Sequence, residues 1–304
     1  MTGFGLAIAM TLAQQPAAAP PVPADVAEIH HDVIAGRNDG YDRMTVPVII
    51  GENGTFHFVI DTGSQRTALS NELARRLAIP LLEKRRITGL VGTELADTAM
   101  LDELALGVRA FYDLPVLLFA AQHIGADGIV GTDSLQQQRV LIDFAANRMT
   151  VSDAQSQGGN AGFEIVVTAR RRDGQLIVTD AMIDGVKTAI VIDTGSSTSV
   201  GNRALQRALR HRGTTGQGTL LSVTGQEVTV DIAFAKSLDI GGISISNPLI
   251  AYSDGPVFAA LKLDRRPAMM LGMRELRLFR RVAIDFSKRK VLFDIPKVNK
   301  AGDS

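Results

Sequence analysis

Most of this chain is written twice, and that repeat limits its fold more than any other feature. Val46 to Ser64 reads VPVIIGENGTFHFVIDTGS, and Ile177 to Ser196 reads IVTDAMIDGVKTAIVIDTGS. Each copy is an apolar strand, a turn rich in Gly, Asn or Asp, and a second β-branched strand running into Asp-Thr-Gly-Ser. The likeness continues in order. Residues 70–79 (SNELARRLAI) and 202–210 (NRALQRALR) are short helix candidates, and 88–99 and 220–233 alternate around Gly92 and Gly225. Residues 131–151 and 272–293 each give a glycine, a helical turn, a strand ending in Ile-Asp-Phe, a turn and a last strand. The pattern predicts two homologous, mostly β domains over 40–152 and 163–297, joined by the polar, Gly-rich linker 153–162.

A single Asp-Thr-Gly-Ser is an ordinary turn, in which the aspartate caps its own backbone and the glycine takes an unusual dihedral. Two copies at equivalent places of a repeat, each ending an uncharged strand, point to chemistry. Phe58-Val59-Ile60 and Ile190-Val191-Ile192 deliver Asp61 and Asp193 to a place where ionisation is penalised. Two such carboxyls facing one another share a proton, so one can act as base on a water while the other donates to a carbonyl oxygen. Gly63 and Gly195 are expected to let two backbones approach closely, and Thr62 and Thr194 to lock the turns together. Ser64 and Ser196 are expected to orient the carboxylates through their hydroxyls.

Charge and composition narrow the alternatives. Lys and Arg total 32 and Asp and Glu total 32, with no basic stripe, which sets nucleic-acid binding aside. With no cysteine there are no disulfides or thiolate sites, and His30, His31, His57, His123 and His211 form no ligand-spaced pair, so no metal is expected. No phosphate-cradling loop or Gly-x-Ser-x-Gly elbow is present. Phe4 to Ala13 is an apolar run followed by an Ala/Pro-rich stretch, without a basic residue before it. It is shorter than the roughly 20 residues that span a bilayer. Residues 1–24 are read as a signal-like leader, with export to the periplasm or outside the cell as the expectation.

Apolar-apolar-Gly triplets follow each turn, as Ile129-Val130-Gly131 and Met270-Leu271-Gly272. With these four motifs the chain resembles aspartic peptidases of the pepsin and retropepsin clan, over nearly all of residues 44–296. The resemblance implies an all-β fold of two β-barrel lobes with the active-site cleft between them, an Asp61/Asp193 dyad and no cofactor. It also implies flaps around Val91-Gly92-Thr93 and Val223-Thr224-Gly225, and an extended polypeptide as substrate. Each half is compact, and neither flap carries the tyrosine of pepsin-like enzymes, since Tyr41, Tyr112 and Tyr252 lie elsewhere. The chain is thus most similar to a bacterial tandem of two retropepsin-like domains. Residues 253–268, longer than their counterpart, are expected to be a surface excursion shaping one end of the cleft. Two alternatives stay open: a catalytically silent peptide-binding protein of the same fold, and lobes that pair with a second chain rather than within a monomer.

Overall fold

The computed structural model describes residues 33–35, 37–38, 43–153, 160–209 and 216–296. The signal-like leader, His30, His31, His211 and the middle of the linker lie outside them.

Both halves are built by the same series of elements. The first opens with the hairpin Met44–Ile49 and Thr55–Ile60, the second with Gln175–Ile183 and Val186–Ile192. After each Asp-Thr-Gly-Ser turn comes a buried three-residue strand, Ala68–Ser70 or Ser199–Gly201, which runs into a short helix. The helices Asn71–Arg76 and Arg203–Ala208 start where they do because Ser70 and Asn202 cap them. Ser70 Oγ accepts the Leu73 amide at 3.1 Å, and Asn202 Oδ1 accepts that of Leu205 at 2.8 Å. A long hairpin follows in each half, Leu81–Thr88 with Thr93–Leu106 and Gly216–Leu221 with Glu227–Phe234.

The strands that end at the aspartates are buried at the centre of each half. Thr55–Ile60 pairs in parallel with Gly128–Val130, and Val186–Ile192 pairs in parallel with Ala268–Leu271. The three-residue strands lie antiparallel on the other side of those partners. Burial on both faces accounts for the unbroken apolar runs, since alternation appears only where one face meets water. The ladder ends identically: the Asp61 amide donates to the Val130 carbonyl and the Asp193 amide to that of Leu271, each at 3.0 Å.

The closing strands join the halves. Gln138–Asp143 pairs antiparallel with Arg281–Asp285, Leu141 facing Ala283, and Arg148–Asp153 and Lys290–Asp294 flank them on either side. One continuous sheet therefore crosses from the first half to the second within this single chain.

Residues 253–268 differ from the surface excursion expected. Pro256–Ala260 is a short helix, and Val257, Phe258, Leu261 and Leu263 are buried in an apolar cluster with Ile177, Val191 and Met270. Among the described residues no helix is long and apolar enough to cross a membrane.

Candidate active site

The two Asp-Thr-Gly-Ser turns meet where the halves join, and the threonines bind them. The Thr62 amide donates to Thr194 Oγ1 at 3.1 Å, and the Thr194 amide donates to Thr62 Oγ1 at 3.3 Å. Each hydroxyl donates onward to the carbonyl preceding the opposite aspartate, Thr62 Oγ1 to Ile192 at 2.7 Å and Thr194 Oγ1 to Ile60 at 2.6 Å. Both threonines are buried, so each of these groups depends on the other turn for its partner.

With the turns so held, the carboxyls of Asp61 and Asp193 are neighbours, each lying against the glycine of the opposite turn. Turn amides hold each in place: Gly63 and Ser64 donate to Asp61 Oδ1 at 2.8 and 2.9 Å, and Gly195 donates to Asp193 Oδ1 at 3.1 Å. The glycines matter for a more specific reason than close backbone approach. A Cβ on Gly63 would lie 2.5 Å from Asp193 Oδ1, and one on Gly195 would fall on the Asp61 carboxyl, so each glycine makes room for the opposite carboxyl. The serine hydroxyls turn away from the carboxyls, contrary to expectation. Ser64 Oγ donates to the Arg66 carbonyl at 2.9 Å and Ser196 Oγ to that of Thr198 at 2.8 Å, each closing its own turn, while the serine amides face the aspartates.

Burial pushes the Asp193 carboxyl well above the ordinary carboxylate range, and the neighbouring Asp61 charge pushes it further. Asp61 is raised by burial as well, but the Gly63 amide, the Arg43 guanidinium and the Ser64 amide pull it back. Two neighbouring carboxyls raised in this way resist ionising together.

The apolar-apolar-Gly triplets support the turns from behind, and their apolar residues Ile129, Val130, Met270 and Leu271 are all buried. The Gly131 amide donates to Thr67 Oγ1 at 3.2 Å, and Thr67 donates to Asp133 Oδ1 at 2.7 Å. Its counterpart runs from the Gly272 amide to Ser199 Oγ at 3.0 Å, and from Ser199 to Glu275. Burial raises the Glu275 carboxyl, with the Ser199 hydroxyl pulling the other way.

Each flap reaches the opposite half. The first turns at Gly89–Gly92 between its strands, and Leu90 packs against the apolar cluster of the second half. There Ser253 Oγ donates to the Leu90 carbonyl at 3.3 Å and the Val257 amide donates to that of Gly89 at 3.3 Å. In return Val223 packs against Ala96, Phe119 and Ile124 of the first half, and Gly225 lies on the His123 ring. The flaps also touch one another: Thr224 Oγ1 donates to Glu94 Oε1 at 2.6 Å, and Gly92 faces the Gln226 side chain. Val91 is half-buried and Thr93 exposed; the hydroxyl of Thr93 lies 3.4 Å from that of Thr88.

Two side chains of the site belong to no motif. Arg43 donates to the Gly195 carbonyl at 3.2 Å and to that of Ile124, and Gln175 donates to the Gly63 carbonyl. The signal that finds them is the register of the repeat, since each stands eighteen positions ahead of its aspartate.

A family model described as aspartyl protease matches the chain twice, over residues 46–134 and 179–274. No curated protein sequence matches it.

Proposed function

The chain belongs to the aspartyl protease family, and on that premise we propose that it is an endopeptidase using a water activated between Asp61 and Asp193. The observation that carries this reading is the meeting of the two turns, which sets each of the Asp61 and Asp193 carboxyls against the opposite turn's glycine, so that one can serve as acid while the other serves as base. The water oxygen bonds to the peptide carbonyl carbon as its proton passes to ionised Asp61, and Asp193 gives its proton to the carbonyl oxygen. Cleavage of the carbon–nitrogen bond then takes the proton from Asp61 to the leaving amine, and a diol hydroxyl returns one to Asp193. The steps need no metal or organic cofactor. The substrate is an extended polypeptide held as an added strand beneath the flaps, with main-chain hydrogen bonds for affinity and side-chain pockets for selectivity. Export of the protein is part of this proposal, and the signal-like leader is what supports it.

Incubation with a mixture of unfolded proteins from pH 3 to 8, beside the Asp193→Asn variant, tests this. Cleavage should follow a bell-shaped profile that reports the pair rather than either residue, and should fall on the order of a hundredfold or more in the variant. A folded parent that cleaves nothing at any pH overturns the reading in favour of peptide binding without hydrolysis.

A further inference from the structure

The residue eighteen positions before each aspartate reaches across to the other half. Arg43 stands just ahead of the strand Met44–Ile49, and Gln175 opens the strand Gln175–Ile183. Strand register makes them equivalent: Thr45 faces Val59, two residues before Asp61, and Ile177 faces Val191, two residues before Asp193. Each donates to the carbonyl of the opposite turn's glycine, Arg43 to Gly195 and Gln175 to Gly63, and they are 6% and 1% exposed. The same device occurs twice, but only one copy is charged.

A buried guanidinium costs several kcal/mol in lost hydration unless other groups compensate for it. Bracing a glycine carbonyl does not require that charge, because the neutral amide of Gln175 does it on the other side. The strand register that pairs Thr45 with Val59 sets Arg43 opposite Asp61, and the Gly195 it holds lies against that carboxyl, so its charge acts on Asp61. The charged neighbour acting on Asp193 is Asp61 itself. Among the described residues, the other groups that hydrogen-bond to the two turns from across the junction, Thr62, Thr194 and Gln175, are neutral.

We propose that Arg43 is a positioning residue that breaks the symmetry of the dyad, making Asp61 the ionised member and leaving Asp193 the protonated donor. Their roles as base and acid rest on the peptidase reading; the placement of charge does not.

The test is a ¹³C NMR titration of carboxyl-labelled aspartate, with resonances assigned through Asp61→Asn and Asp193→Asn. The parent is compared with Arg43→Gln, Arg43→Lys and the swap Arg43→Gln/Gln175→Arg. Arg43→Gln keeps an amide donor at the position and removes the charge, and Arg43→Lys keeps the charge without the guanidinium fork. In the parent the lower of the two macroscopic steps should appear mainly at Asp61. It should rise by about one pH unit in Arg43→Gln, stay near the parent value in Arg43→Lys, and move to Asp193 in the swap. The acidic limb of peptide cleavage should shift with it. A folded Arg43→Gln protein whose lower step stays at Asp61 at the parent's pH overturns the proposal. If that variant does not fold, a lower step that stays on Asp61 in the swap does the same. A parent without cleavage would sink the peptidase reading, and the titration would still decide the role of Arg43.

Discussion

Thr62 and Thr194 are each other's hydrogen-bond donor and acceptor, so neither turn is satisfied until the two halves have met. Thr62→Val keeps the shape of the side chain and orphans two buried groups, the Ile192 carbonyl and the Thr194 amide. It should lower stability by about 2–4 kcal/mol in equilibrium unfolding. Thr62→Ser keeps the hydroxyl and should lose less than half of that.

Asp61 and Asp193 are both raised by burial, so the folded chain holds protons that the unfolded chain releases. Their contribution to stability is therefore present below the ordinary aspartate value of about 3.9 and is lost as pH rises through the raised values. Asp193→Asn removes the Asp193 share of this pH-dependent loss. At pH 7 the variant should unfold at a higher temperature than the parent, by about 2–4 °C per kcal/mol released, and the gap should close by pH 3. An equal gap at both pH values would contradict the raised carboxyl.

Gly195→Ala places a methyl group on the Asp61 carboxyl without asking the backbone for a new conformation. Misplacing a reacting group by about 1 Å costs on the order of a hundredfold in rate. Peptide cleavage should fall by at least that much. Circular dichroism should remain that of the parent.

Gly255 lies against the backbone of Leu90 at the tip of the first flap, in a conformation (φ −51, ψ 138) open to any residue. Alanine there should push the flap tip off its seat beside Ser253 and Val257. Amide hydrogen exchange at residues 89–95 should then speed up while the closing strands keep their protection. Unchanged exchange would show that the flap is not held by this contact.

The parts of the site that lie within one strand and turn were legible in the sequence: both aspartates, the threonine lock and the apolar-apolar-Gly supports. They were legible because each is a local motif that occurs twice. What escaped depends on contacts across the junction. The direction of the Ser64 and Ser196 hydroxyls is a choice between a carboxyl and the turn's own carbonyl, and composition does not decide it. Arg43 and Gln175 are unlike residues, and only their shared place eighteen positions ahead of an aspartate links them until each is seen beside the opposite glycine. In residues 253–268 the charged segment Lys262–Arg266 disguises Val257, Phe258, Leu261 and Leu263 as surface, although they pack inward and seat Leu90.

The strand Gln138–Asp143 has one neighbour from its own half and another, Arg281–Asp285, that is made about 140 residues later. At roughly 5–20 residues per second a ribosome needs on the order of ten to thirty seconds to supply it. Through that interval the newborn first half presents an unpaired edge, the kind of surface on which strands of other chains can add. Synthesis of this protein thus contains a waiting period, and a chaperone that shields extended edges would act in that window.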